Sequence, residues 1–133
     1  MKICMIGTGY VGLVSGTCFA DIGHQVYCVD KDLSKINQLN SGISPIYEPG
    51  LEELIKKNHK ARRLYFTSDL KKAITISDII FICVGTPNIK GSLKVDLSFV
   101  FKCTKEILAI TKKKKIIVTK STVPIGTGDQ IEN

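Results

Sequence analysis

The apolar residues of this chain fall into short dense runs, separated by longer segments in which they recur every three or four positions. The first run, Lys2-Ile3-Cys4-Met5-Ile6, ends at a glycine turn and predicts a strand. Leu13 to Ile22 has helical character and stops at Gly23-His24. Gln25 to Val29 predicts a second strand. Leu33 to Leu39, apolar at 33, 36 and 39, predicts a short amphipathic helix capped by Asp32 and stopped by Asn40-Ser41-Gly42. A rigid loop, Ser44 to Gly50, leads into another helix. Pro49 suits its first position, and Glu52 and Glu53 suit the positive end of its dipole. Leu64 to Thr67 predicts a third strand, and Ser68 is the expected cap of a helix over Asp69 to Ile76. Asp78 to Val84 is almost continuously apolar, as a central parallel strand covered on both faces requires. After a polar loop over Asn88 to Lys94, Asp96 is placed to cap a helix over Leu97 to Ile110, with apolar residues at 97, 100, 101, 107, 108 and 110. Ile116 to Thr119 predicts a fifth strand, and Ile125 to Asp129 opens a further segment.

Strands and helices therefore alternate from end to end, with no repeat and no linker. The expected fold is α/β, a Rossmann-type doubly wound parallel sheet in the order 3-2-1-4-5, with a further edge strand missing. Right-handed crossovers bring the loops after residues 6, 29, 84 and 120 to one edge of such a sheet. That edge is where open parallel sheets bind ligands.

The chemistry suggested by this pattern begins in the first turn. Gly7-Thr8-Gly9-Tyr10-Val11-Gly12 lies between the first strand and the first helix, and Asp30 ends the second strand 18 residues after Gly12. Strand, GxGxxG, helix, strand and acid in this order form the dinucleotide-binding fingerprint. Gly7 permits the tight turn, Gly9 lets backbone approach a pyrophosphate, and Gly12 lets the helix pack on the strands. The helix N-terminus offers unpaired N–H groups and partial positive charge to the phosphates. A carboxylate at Asp30 accepts from the adenosine ribose hydroxyls and repels a 2′-phosphate, so NAD is expected rather than NADP. Lys31 beside it softens that preference. Lys35, one turn into the next helix, either reaches back toward Asp30 and the ribose or is a solvated surface lysine. Thr86 follows the central strand, where its hydroxyl either bonds near the nicotinamide or serves the turn before Pro87.

Composition narrows the alternatives. A length of 133 residues suits one domain, and the 44% hydrophobic and 23% charged fractions are ordinary for a globular protein. No apolar run approaches the ~20 residues that cross a bilayer. Met1 runs straight into the first strand, which leaves no room for a signal peptide, and a cytoplasmic protein is expected. The five cysteines are odd in number and form no CxxC, so they are expected as small apolar core residues rather than disulfide or zinc partners. The net charge of +7 raises nucleic-acid binding, but its largest block, Lys112-Lys113-Lys114-Lys115, has no interleaved aromatics and falls in an expected turn. Neither nucleic acid nor membrane is expected as a partner, and no metal site is expected.

Four segments in order resemble the UDP-glucose 6-dehydrogenases of the UDP-glucose/GDP-mannose dehydrogenase family. They are Gly7-Thr8-Gly9-Tyr10-Val11-Gly12-Leu13-Val14, Pro45-Ile46-Tyr47-Glu48-Pro49-Gly50-Leu51, Val84-Gly85-Thr86-Pro87 and Lys120-Ser121-Thr122-Val123-Pro124. The resemblance runs through residues 1–133 and covers only the family's N-terminal NAD-binding domain. It implies that the catalytic, dimerisation and UDP-sugar domains fall outside this chain. It also implies the family's reaction, a four-electron oxidation of UDP-glucose to UDP-glucuronate with two NAD. A cysteine there forms a thiohemiacetal and then a thioester, so sulfur holds the aldehyde while the second hydride leaves. None of the five cysteines here matches that nucleophile's motif. By resemblance the cofactor contacts are Gly7, Gly9, Tyr10, Val11, Gly12, Asp30, Lys35, Thr86 and Thr122. Thr122 is also a candidate for positioning water or substrate, and Glu48 for shaping the active-site edge or starting a helix. Full-length relatives are implied to be homodimers. A related UDP-N-acetylmannosamine or GDP-mannose dehydrogenase domain, or a stand-alone dinucleotide-binding module, remains as an alternative.

Overall fold

β-branched and sulfur-bearing side chains dominate the short runs, and each such run is a strand in the computed structural model, which describes residues 1–92 and 94–132. Leu93, in the expected polar loop, and Asn133 lie outside the described residues. The strands are β1 (Lys2–Ile6), β2 (Gln25–Val29), β3 (Leu64–Thr67), β4 (Ile79–Ile82) and β5 (Ile116–Thr119). They form one parallel sheet ordered β3-β2-β1-β4-β5, the order expected from the alternation of elements. In β1, Ile3 pairs with Val26 and Ile79, and Ile6 with Val29 and Ile82, so the apolar runs lie side by side.

Successive side chains on a strand point to opposite faces, and β1 feeds two cores. Ile3 and Met5 join Leu13, Val26, Leu39, Ile55 and Leu64 on one face, under α1 (Tyr10–Asp21), α2 (Leu33–Asn40) and α3 (Leu51–Lys60). Cys4 and Ile6 join Ile74, Ile80, Ile82, Val100 and Ile107 on the other, under α4 (Leu70–Ile76) and α5 (Ser98–Ile110). A short α6 (Thr127–Glu132) closes the described chain. All five cysteines are free thiols. Cys4, Cys28, Cys83 and Cys103 are buried, and Cys18 is exposed on α1.

Several boundaries differ from expectation. Pro49 is not the first residue of α3. Gly50 takes a left-handed φ of 79° as the N-cap, and the Glu48 carbonyl accepts from Leu51 N–H, closing a turn before the helix begins. Ser68 does not cap α4. The Asp69 carboxylate takes that role by accepting from Lys72 N–H at 2.9 Å, and its charge suits the helix's positive end better than a hydroxyl. Asp96 acts one position further out than expected, accepting from Ser98 N–H at 2.9 Å while Leu97 is the N-cap. Leu108 is 60% exposed because α5 buries the stripe Val100, Cys103, Thr104 and Ile107, and one further residue turns about 100° away from it. Helix α1 begins at Tyr10, so Gly12 lies within it rather than before it.

Candidate cofactor site

The carboxyl ends of β1, β2 and β4 open onto a cavity of about 510 Å³, walled on its far side by α5. Gly7, Thr8, Gly9, Asp30 and Lys35 all line it. A second concavity of about 550 Å³ runs along the outer face of α5, between Phe101 and Ala109, away from the strand ends.

The three glycines of the first turn do different work. Gly7 has φ 106° and donates its N–H to the Val29 carbonyl at 2.8 Å. A Cβ there would lie 2.5 Å from the Cys83 carbonyl oxygen, so the turn and the neighbouring strand end leave no space for a side chain. A Cβ on Gly12 would lie 1.9 Å from the Gly7 carbonyl oxygen and 3.1 Å from the Cys83 Cβ. This is the close packing of helix on turn expected of the third glycine. Gly9 meets nothing within 4 Å and has an ordinary φ of −73°. Nothing in the protein itself requires a glycine there. The open space lies at the start of α1, whose first intrahelical bond is Leu13 N–H to Gly9 carbonyl, 2.9 Å. The N–H groups of Tyr10, Val11 and Gly12 therefore lack intrahelical acceptors, and no acidic side chain occupies this first turn. Space, donors and dipole coincide, which fits a pyrophosphate.

Asp30 sits at the end of β2, facing the same cavity. Its Oδ2 accepts from Thr8 N–H at 3.0 Å and from the Thr8 hydroxyl at 2.6 Å, and its Oδ1 accepts from Asp32 N–H at 3.0 Å. Burial raises the carboxyl's pKa, but the Thr8 hydroxyl, the Asp32 and Thr8 N–H groups and the Lys35 charge outweigh it and hold it below the ordinary value. The group is an anion at neutral pH. An ionised carboxylate has about four acceptor sites. The protein fills three of them, so one remains for a ribose hydroxyl until the Thr8 hydroxyl turns away. Lys35 is half-buried on α2, which Asp32 caps by accepting from Ser34 and Lys35 N–H. Lys31 lies with its Nζ 5.6 Å from the centre of the Phe99 ring.

The other expected site residues gather elsewhere. Thr86 donates from its hydroxyl to the Thr122 carbonyl at 3.0 Å, which joins the ends of β4 and β5. The Ser121 hydroxyl donates to the Val84 carbonyl at 2.7 Å and strengthens the same junction. Tyr10, Val11, Gly12, Glu48, Thr86 and Thr122 lie outside the lining of the 510 Å³ cavity. Tyr10 is exposed and donates from its hydroxyl to the Tyr47 carbonyl, tying the glycine turn to the Ser44–Gly50 loop. Glu48 is exposed in that loop, and its carbonyl closes the turn before α3.

Sequence patterns did not single out Thr8, which is 0% exposed and grips Asp30 across 22 positions. No local pattern announces such a contact. The α5 wall, including Phe99, Cys103 and Glu106, was equally invisible as part of the cavity.

A parallel sheet in this order, with a guest-sized space at a helix N-terminus and an anionic carboxylate at the next strand end, defines a Rossmann-type dinucleotide-binding domain. The sequence profile of the UDP-glucose/GDP-mannose dehydrogenase family, NAD binding domain, matches residues 1–133, and the chain belongs to that family. It is 56% identical over 132 residues to a UDP-glucose 6-dehydrogenase of Rhizobium meliloti (strain 1021), covering 99% of this chain and 30% of that protein. It is 54% identical over 132 residues to the UDP-glucose 6-dehydrogenase TuaD of Bacillus subtilis (strain 168), covering 99% of this chain and 28% of that protein. Among solved structures, a ternary complex of GDP-mannose dehydrogenase from Pseudomonas aeruginosa superposes with a TM-score of 0.93 at 42% identity, covering 98% of this chain and 30% of that one. The chain thus spans about 30% of the length of the relatives it matches. Its cofactor is NAD, the ligand for which the family's domain is described.

Proposed function

We propose that this chain is the NAD-binding part of a UDP-glucose 6-dehydrogenase, and that residues 1–133 alone hold cofactor without turning over sugar. The observation that carries the cofactor half is the coincidence at Gly9. Open space, three donor N–H groups and a helix dipole lie beside the cavity lined by the Asp30 carboxylate. Two relatives above 50% identity, both UDP-glucose 6-dehydrogenases, support the sugar. The likeness to a GDP-mannose dehydrogenase at 42% supports the same fold and cofactor more than the same substrate.

In this proposal the N–H groups of Tyr10, Val11 and Gly12 receive the pyrophosphate. Asp30 and Lys35 hold the adenosine ribose. Thr86 and Thr122 border the nicotinamide ribose and the reacting centre, where Thr122 also positions water or substrate. Glu48 shapes the edge of the site through the loop that Tyr10 tethers. The NAD supplies the hydride acceptor. The thiol chemistry of the second oxidation needs a cysteine outside this chain. Burial supports that: it pushes Cys83 up to about 11 and Cys4 and Cys103 up to about 12, and raises Cys28 further. These thiols stay neutral at physiological pH and are poor nucleophiles. Cys18 lies eight residues along α1 from Tyr10, about 12 Å from the glycine turn along the helix axis. Cytoplasmic location and homodimerisation of the complete enzyme belong to the same proposal.

Titration of the purified chain with NAD and NADP by calorimetry tests it. Tighter binding of NAD is expected. Equal or tighter binding of NADP would remove Asp30 from the ribose.

A further inference from the structure

The crossovers of a parallel sheet place every helix-to-strand turn at the edge opposite the cofactor cavity. The chain's charge collects there. β1 starts with Lys2. Helix α3 ends with Lys57 and Lys60, and the turn after it carries Arg62 and Arg63. The turn between α5 and β5 is Lys112-Lys113-Lys114-Lys115. Against these stand Asp21, which is bonded to Lys57 at 2.7 Å, and Asp78, which accepts from Lys2 N–H at 2.9 Å. Nine of the chain's 19 basic residues and two of its 12 acidic ones lie at this edge, which therefore carries the whole formal charge of +7. The remaining ten of each sign cancel.

Large apolar side chains stand in solvent here, as they also do at the opposite edge, where Ile125 and Tyr47 are exposed. Ile22, just past α1, is 72% exposed. Ile116, the first residue of β5, is 60% exposed beside the lysine turn, and Leu108 in the last turn of α5 equally so. No aromatic ring lies among the lysines of the turn, so that turn offers no platform for stacked bases. Lysines on a turn flanked by protruding aliphatic groups match a different polyanion, one with an apolar layer beneath its charge. Lipid headgroups neutralise the lysines, and the acyl boundary receives the isoleucines.

We propose that this sheet edge docks on an anionic lipid bilayer. The absence of a membrane-crossing helix among the described residues bears on spanning and not on surface contact. The docking would leave the cofactor cavity facing away from the membrane, and the proposal stands independently of the function assigned to that cavity.

Vesicle flotation tests it. The probes are phosphatidylcholine vesicles, and the same lipid with about one third phosphatidylglycerol to supply the anionic surface. Folding of each variant is checked by circular dichroism. The chain should float with the anionic vesicles and not with phosphatidylcholine alone. The triple variant Lys112→Gln, Lys113→Gln, Lys114→Gln should lose partitioning on the order of 100-fold, since each cation near such a surface contributes roughly fivefold. Lys71→Gln, Lys72→Gln, Lys94→Gln removes the same charge elsewhere and should lose far less. Ile22→Ser should weaken partitioning roughly tenfold or more through lost apolar insertion. Four results would overturn the proposal. They are no preference for anionic vesicles, equal losses from the two triple variants, no loss in Ile22→Ser, or tighter binding to duplex RNA than to the vesicles at the same salt.

Discussion

At the scale of single residues, Asp30 and Thr8 form one device. Asp30 was legible because the fingerprint fixes an acid at the end of the second strand, whatever the rest of the chain does. Thr8 was not, because a hydroxyl 22 positions away announces nothing until the fold brings it within 2.6 Å. Replacing Asp30 by Ala should weaken NAD binding by about 1–3 kcal/mol, the range for losing hydrogen bonds to a charged group, and narrow the gap between NAD and NADP. Calorimetric titration with both cofactors checks it, and an unchanged NAD constant would show that the acid does not touch the ribose. The same pair sets a pH dependence. The Asp30 carboxyl titrates below its ordinary value when folded, so the stability it contributes is complete above the unfolded value of about 3.9. That contribution disappears as pH falls through the lower folded value. Thr8→Val removes the strongest of the donors that lower it. Melting temperatures measured from neutral to acid pH should fall less steeply below about pH 4 in Thr8→Val than in the parent.

At the scale of elements, the strands were read correctly because each is a short, dense apolar run, and burial on both faces leaves such runs little alternative. The helix starts were less legible. Ser68 and Asp69 both suit an N-cap, and only the geometry showed that the carboxylate reaches Lys72 N–H. Pro49 fits a first helical turn, but a left-handed Gly50 takes the boundary one step onward. The joint between β1 and α1 yields a contrast that sequence alone does not supply, since GxGxxG presents three glycines as equals. Gly12→Ala would drive a Cβ to 1.9 Å from the Gly7 carbonyl oxygen, against backbone that cannot yield cheaply. It should destabilise the domain by about 3 kcal/mol or more, within the range of severe core overpacking. Gly9→Ala meets nothing within 4 Å and should change stability by less than about 0.5 kcal/mol. It should nevertheless weaken NAD binding, because the methyl enters the space proposed for the pyrophosphate. Urea melts and cofactor titrations on the two variants separate these effects. A Gly9→Ala variant with unaltered NAD affinity would move the phosphates elsewhere.

At the scale of the whole molecule, the two cores on either side of the sheet give the chain the means to fold as a unit. The proposed function makes that unit catalytically incomplete. In the proposed function its buried thiols are held neutral, and the groups that orient a sugar against the nicotinamide belong to the rest of the enzyme. Lost orientation alone removes about 7–11 kcal/mol of barrier lowering. The purified chain with NAD and UDP-glucose should therefore melt cooperatively by circular dichroism and show no steady rise in NADH absorbance. Steady turnover would place unrecognised catalytic groups within residues 1–133. A sample without a cooperative melt would contradict the folding half of the prediction.

The five free thiols also make the chain its own stopwatch for breathing motions. Four are buried, Cys83 and Cys103 at the cavity wall, and one, Cys18, stands in solvent. An alkylating reagent added to the native protein should tag a single site quickly and then stall. Each further tag awaits opening of the segment around that thiol, so its rate measures the free energy of that opening. Mass spectrometry of the tagged chain would then rank Cys4 and Cys28 at the sheet's centre against Cys83 and Cys103 at the cavity wall. Added NAD should slow the last two more than the first two, which would turn cofactor occupancy into a count of protected sulfurs.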